Sequence, residues 1–527
     1  MSIAELAARA HRVGPWLVAT RRRPAVAWAS ATFLALAVLA GAPGISRDEA
    51  AVLERATDAR RVAASPEPAG RPSPPLGGEA AAATHAVFSR LGVPHVHAAR
   101  LATALFGAVL SAAIALLAWD LAGGTAALLA PALFWAAPRH LHAGLVATPD
   151  LALAALVAAA VLAYRRASVA PERRARLRAA ALAGVIFGAA VAARADAWVL
   201  LPALAVHAGV ARALNAIAVR DDLEQRLHGV PLALIAMIAL GPVVLLATWP
   251  SLWPSPFLRL AAAFAPSGAV PSVRPVLVTA LTVPVTILLA YLAGIGHALL
   301  RIGRVLHGRA LAAVASDEAL LLLCAATPFA AAAVGIAPSF AGVRPWLHAM
   351  PFLAVLGARA LLAAARVASP ARAAPLAASL VLCVLWPGLR ATAHFHPAGA
   401  SSWNEIAGGA PGAATLGLPR QDGGEAAAAL LPILNARASA GARVFWPTAA
   451  PAALRALSRD GRLRPDLVAV DGPEDADLAV VTLEGAGASR DAEYRAWSAF
   501  RTARPAAGAY LDEVPLALVY ARAGSWR

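Results

Sequence analysis

The 527-residue chain contains no lysine: all 46 of its cationic residues are arginine, set against 30 Asp and Glu, for a formal net charge of +16. Charge of either sign is scarce, at 14% of residues, while 60% are hydrophobic; an ordinary soluble domain carries about a quarter charged residues. That scarcity excludes a wholly soluble protein and identifies an integral membrane protein. The two cysteines, Cys324 and Cys383, both fall inside apolar runs. They exclude a disulfide scaffold and a cysteine-based metal knuckle, and read as small core residues. There is no Gly-rich phosphate loop and no repeat at solenoid periods. A basic balance can serve nucleic acid, but here the arginines sit mostly in short turns between apolar runs, the distribution that orients membrane helices. No nucleic-acid partner is expected.

The apolar runs set the organisation. Residues 1–23 carry Arg9, Arg12, Arg21, Arg22 and Arg23, and Ala25 to Ala40 follow as an apolar run, which predicts a cytoplasmic N-terminal segment and a signal anchor. The next stretch, 43–98, is polar and proline-rich around residues 65–78, where a helix cannot continue. It is expected to form a large first outer loop, with Glu79 to Leu91 as an amphipathic helix on the interface and His85 and Arg90 toward the headgroups. Ten more apolar runs follow, from Ala102–Ala118 to Ala374–Leu389, making about eleven spans in a transmembrane domain over 24–390. Arginine-rich turns at 165–178, 212–226, 301–309 and 366–372 fall on alternate sides and share the side of the N-terminus, the cytoplasmic one. An odd number of spans puts 391–527 outside. There, short β-like runs alternate with helical ones, predicting a small extracytoplasmic α/β domain. The expected fold class is an all-α polytopic protein of the cell membrane, inner or plasma, with a small soluble C-terminal domain.

Polar residues collect on the outer side. Asp48 and Glu49 follow the first span directly; Ser46-x-x-Glu49 reads as a capping box with Asp48 favoured by the helix dipole. A capped helix start is also a rigid seat for a catalytic carboxylate. Asp150 opens a span after Pro138-Arg139-His140-Leu141-His142, and reads equally as an N-cap or as a second site carboxylate. Arg100, Arg139, Arg194, Arg259 and Arg344 stand singly at outer span ends. Each alone can snorkel to headgroups, but as a set they suit phosphate oxygens. The pairs His95/His97, His140/His142 and His394/His396 have no companion cysteine, and i, i+2 spacing shares a metal only on an extended strand, so no metal site is expected.

In their order these elements resemble the lipid-dependent GT-C glycosyltransferases, specifically bacterial relatives of the dolichyl-phosphate-mannose protein mannosyltransferases of glycosyltransferase family 39. The resemblance rests on Asp48-Glu49, on Ser73-Pro74-Pro75-Leu76-Gly77 with Ser in place of His, and on Arg100. It continues with Pro138 through Asp150, Gly184 through Arg194 with Arg in place of Lys, and Trp249-Pro250-Ser251-Leu252-Trp253. Gly342-Val343-Arg344-Pro345-Trp346 with Pro351-Phe352-Leu353 comes next, then His396-Pro397, Trp403-Asn404-Glu405 and Gly408-Gly409-Ala410.

The resemblance implies a GT-C-like fold of about eleven spans and inverting transfer of a hexose, mannose being one candidate. The donor would be a polyprenyl-phosphate-linked sugar and the acceptor a hydroxyl on protein, glycan or lipid at the outer side. Asp48 is then the expected base with Glu49 beside it, leaving open which of the two acts. Arg100, Arg139, His142, Asp150, Arg194 and Arg344 would bind substrate. No cofactor is required, and a divalent cation has room. Two other readings stay open: a transporter or flippase of a lipid-linked sugar, and a ligase consuming lipid diphosphates.

Overall fold

In hydrocarbon every backbone N–H and C=O must be satisfied within the chain, so long Ala/Leu/Val runs become helices. The computed structural model describes residues 22–57, 74–218, 231–264, 270–307, 312–337, 342–368, 370–484 and 488–527. The expectations for residues 1–21, for Ser73 and for the adjoining proline-rich stretch lie outside these. Eight helices are long and apolar enough to cross a membrane, among them His95–Ala122, Pro149–Val169, Arg173–Ala193 and Arg344–Ala368. Two shorter apolar helices, Gly124–Trp135 and Leu232–Thr248, and a helix over residues 22–39 stand at the other three expected spans. The run expected from Val276 to Leu299 is two helices, Arg274–Thr282 and Val285–Leu306, with Pro284 between them; its ring cannot continue the hydrogen-bond ladder.

The spans share one core, in which glycines let backbones touch. A Cβ on Gly184 would fall 2.4 Å from Ala236 O, and one on Gly188 2.6 Å from Gly241 O. This Gly-x-x-x-Gly face packs Arg173–Ala193 onto Leu232–Thr248. At the helix ends away from Asp48 lies a buried charge network absent from the sequence reading. Arg165 grips Asp317 through Nε and Nη2 at 2.7 and 2.8 Å, and Arg359 Nη2 sits 2.7 Å from Oε1 of the fully buried Glu318. Arg359→Ala would leave that carboxylate only the more distant Arg301, 3.6 Å away, and breaking a buried pair costs about 3–5 kcal/mol. The expected result is a markedly lower unfolding temperature in detergent, partly restored by adding Glu318→Gln; an unchanged temperature would mean the network is not a staple.

The helix expected in the loop after the first apolar helix is present. It is Leu76–Phe88, continued by a 3-10 turn at Ser89–Leu91 that ends on Gly92 at φ 82. One face, with Gly78, Ala81 and Thr84, is buried, while Glu79, Ala83, Ala86 and Val87 stay exposed. Thr84 Oγ1 donates to Ala99 O at 3.3 Å, and His85 Nε2 lies 2.8 Å from His95 Nδ1. Leu53, Ala81, Val96 and Ala99 form a small core on the buried face together with Ala456 from the C-terminal region.

Beyond the last long helix, Ala373–Phe395, the chain forms a five-stranded sheet. The strands are β1 (Arg443–Phe445), β2 (Val468–Val470), β3 (Leu478–Thr482), β4 (Ala507–Leu511) and β5 (Val514–Ala521), in the order β2-β1-β3-β5-β4. β1 pairs parallel with β2 and β3, whereas β5 is antiparallel to β3 and β4. Alternate residues feed two cores: Val444, Leu478, Val480 and Val519 on one face, Phe445, Val481, Leu518 and Tyr520 on the other. β4 has no counterpart in the sequence reading. Its hairpin turns on Asp512 and Glu513, both at positive φ, where glycine or asparagine is the usual signal.

Candidate active site

The helix Arg47–Thr57 starts where the sequence puts it. Ser46 Oγ accepts the Glu49 N–H at 3.2 Å, but the reciprocal arm of the capping box is diverted. Arg100 Nε and Nη2 each donate to a Glu49 oxygen at 2.7 Å, with both side chains fully buried. Glu49 Oε1 also accepts the Ala147 N–H at 2.6 Å. The rest of the Arg100 fork donates to Ala40 O, Pro43 O and Gly44 O. All five N–H donors of the guanidinium are thereby used. Glu49 is enclosed, and the Arg100 donors are spent on it and on backbone carbonyls; together they clamp the start of the helix Arg47–Thr57 onto His95–Ala122.

Asp48 faces the other way. Its side chain is 55% exposed, and Oδ2 accepts from Nη2 of Arg344 at 2.8 Å. Arg344 opens the 3-10 turn Arg344–Ala349, just after Gly342 at φ 59. The carboxylates of Asp150, Asp48, Asp422 and Glu425 all lie within electrostatic reach of it.

Asp150 falls in the first turn of its helix, after Thr148 and Pro149, rather than at the N-cap. Its Oδ1 is 2.7 Å from Arg194 Nη1, and Arg194 holds Asp196 through Nε at 3.1 Å and Nη2 at 2.5 Å. Burial works against the Arg194 charge, but Asp196 and Asp150 outweigh it and hold the pKa above the usual arginine value. Arg259 donates to Ser251 O, within the Trp-Pro-Ser-Leu-Trp turn and apart from these pairs.

Arg139 and His142 are three residues apart on the helix Pro138–Leu145 and so share a face. Arg139 Nη1 donates to Asp422 Oδ2 at 3.2 Å, and His142 Nε2 lies 2.9 Å from Glu425 Oε1. Burial lowers the Arg139 pKa, with Asp422 and Glu425 opposing. Neither acid figured in the sequence reading. The local signal was Asp422-Gly423-Gly424-Glu425, two carboxylates about a glycine pair at φ 81 and 79. This turn is wedged in place: Arg47 N–H donates to Gly423 O at 3.0 Å, and a Cβ on Gly44 would collide with Glu425 O. Glu484 also approaches, 3.6 Å from Arg47, and burial raises its pKa.

The histidine pairs do not act as pairs. His97 Nε2 meets Ala37 O at 2.6 Å, His140 stacks on Phe134 with its pKa pushed down to about 4 by burial, and His394 bonds Asp512. Among the described residues no three His, Cys, Asp or Glu side chains are grouped to hold a metal. Chemically the site offers one accessible carboxylate, Asp48, beside a set of partly neutralised arginines. A cavity of 320 Å³ adjoins it, bordered by Arg139, Arg274, Gly342, Trp403 and Asp422.

Residues 73–246 match the family model described as dolichyl-phosphate-mannose-protein mannosyltransferase. That stretch carries the motifs from Pro74 through Arg194, so the resemblance read from the sequence is found by the family model too. Among solved structures, ArnT from Cupriavidus metallidurans bound to undecaprenyl phosphate is 16% identical, with a TM-score of 0.48 over 96% of this chain and 98% of that one. The oligosaccharyltransferase AglB from Archaeoglobus fulgidus, in complex with an inhibitory peptide and a dolichol-phosphate, is 12% identical at a TM-score of 0.44. That likeness spans 69% of this chain and 55% of that one. No curated protein matches the sequence.

Proposed function

We propose that this chain, similar over residues 73–246 to the dolichyl-phosphate-mannose-protein mannosyltransferases, is a membrane glycosyltransferase acting on the extracytoplasmic side. It moves a hexose, with mannose the first candidate, from a polyprenyl phosphate to an acceptor hydroxyl. The observation that carries the reading is the division of labour in the acidic pair: Glu49 is sealed against Arg100, while Asp48 is half exposed and oriented by Arg344.

In this reading Asp48 takes the proton of the acceptor hydroxyl as its oxygen attacks the anomeric carbon from the face opposite the phosphate. The new C–O bond forms as the anomeric carbon–oxygen bond to the phosphate breaks, inverting the centre and leaving a polyprenyl phosphate. The leaving phosphate gains charge, which Arg344 and Arg139 are placed to stabilise. Arg194, paired with Asp150 and Asp196, keeps the wall of the site in place, and His142 with Glu425 does the same. The arginine-rich turns support the orientation, since they share the side expected to be cytoplasmic.

The test is donor use by the purified protein in proteoliposomes. Polyprenyl phosphate hexose should be consumed with release of polyprenyl phosphate, and the matching diphosphate should not. Consumption of the diphosphate donor would make it a ligase. Transbilayer movement of labelled donor without transfer would make it a flippase.

A further inference from the structure

Three residues of a motif after the last span, Trp403-Asn404-Glu405, are not used by the mechanism above, although the sequence singles them out. Their placement gives them work. The helix Arg274–Thr282 ends at the break before Pro284 with carbonyls that its own ladder cannot satisfy. Asn404 supplies the missing donors: its Nδ2 donates to Ala280 O at 2.7 Å and Val283 O at 2.6 Å, and its backbone N–H to Leu281 O at 2.9 Å. Asn404 Oδ1 meanwhile caps the turn behind it, accepting from the N–H groups of Ile406 and Ala407. Glu405 Oε2 takes the Val285 N–H at 3.3 Å, on the far side of the break. The motif is therefore riveted to the helices on both sides of the break.

What this riveting carries is Trp403. Its ring is nearly buried and lies under the Arg139 guanidinium, with Cζ 4.8 Å from the ring centroid. Its Nε1 donates to Pro419 O at 3.2 Å. Arg139 is thus held by three means: Trp403 under its face, Ser402 O accepting from Nε at 3.0 Å, and Asp422 accepting from Nη1 at 3.2 Å. The packing at the Asp422 contact leaves no slack, because a Cβ on Gly342 would fall 2.3 Å from Asp422 Oδ2 and 2.7 Å from Arg139 Nη1. Among the described residues no hydrogen bond claims Nη2, and Arg139 borders the 320 Å³ cavity.

We infer that Trp403 and Asp422 are positioning residues for Arg139. They fix a guanidinium so that its unclaimed donor meets the phosphate of a lipid carrier, with Asn404 and Glu405 anchoring the holder to the helix break. The inference rests on the donor reading above and adds to it a job for the segment after the last span. A flexible arginine would have to lose its rotamer freedom on binding; a preset fork does not. A face-on aromatic contributes attraction to the cation without consuming any N–H.

The test is the affinity of the full-length protein in nanodiscs for decaprenyl phosphate. Trp403→Leu and Asp422→Asn should each weaken binding by about 10-fold, while Trp403→Phe, which retains a π face, should weaken it by no more than about 3-fold. In an Arg139→Ala background, Trp403→Leu should add no further loss, because both act through the same guanidinium. An equal loss with and without Arg139 would overturn the inference and leave Trp403 as general packing. Unchanged binding in Trp403→Leu and Asp422→Asn, with the wild type binding well, would overturn it and leave the donor reading standing. A folded wild-type protein with no affinity for decaprenyl phosphate would overturn both.

Discussion

Asp48→Asn removes sugar transfer and leaves the protein folded. A positioned general base contributes about 10²–10⁴-fold, so a loss of at least about 100-fold in transfer from a polyprenyl phosphate hexose is the expected result. The fold survives because the Asp48 side chain is 55% exposed and makes no core contact of its own. Affinity for the carrier should hold, since Asp48 is not among the residues that hold Arg139 in place. Asp48→Glu should recover part of the activity, limited by a carboxylate displaced by one methylene. Transfer above half the wild-type rate in Asp48→Asn would end its candidacy as the base. It would also turn attention to Glu484, whose carboxyl is kept more basic than usual by burial and lies near Asp48.

Substitution of the neighbouring acid has the opposite signature. Arg100→Ala leaves the Glu49 charge buried without its partner and the carbonyls of Ala40, Pro43 and Gly44 without their donor. Removing one member of a buried pair costs about 3–5 kcal/mol, and the lost carbonyl bonds add to that. Poor expression, a lowered unfolding temperature and protease cleavage in the first outer loop are expected. Glu49→Gln should show a milder form of the same, because a neutral amide still offers one acceptor. Removing both charges, as Glu49→Gln with Arg100→Met, should be less damaging than Arg100→Ala alone. A stable Arg100→Ala protein that has lost only carrier affinity would return Arg100 to the phosphate-binding residues.

The contrast between these adjacent acids shows what local pattern can and cannot say. Ser46-x-x-Glu49 correctly marked a helix start, because capping needs only residues within one turn. Consecutive helix residues point about 100° apart, so one of the two carboxylates had to face away from whatever the other met. Nothing local says which of them meets Arg100, a residue on another helix. The same holds for Arg139 and His142. Their common face was legible from spacing, whereas their partners Asp422 and Glu425 come from the other side of the last eight spans. The motif Trp403-Asn404-Glu405 was visible as a motif, and its use as a plug for a broken helix was not, because the break itself was read as a continuous span.

The sequence by itself determined that this is a polytopic helical membrane protein with a small α/β appendage and where nearly all its apolar helices lie. It could do so because burial in lipid acts on each run separately: length, hydropathy and the side that arginine favours are properties of the segment. The tertiary structure alone decided which charges are paired in the interior and which stay accessible. Ion pairing depends on the rotation of each helix and the path of each loop, and these are set by close packing between segments far apart in the chain. Glu49 and Arg100 are thereby used up in the core, Asp48 is left at the mouth of the site, and an acidic turn after the last span completes the arginine cluster around it.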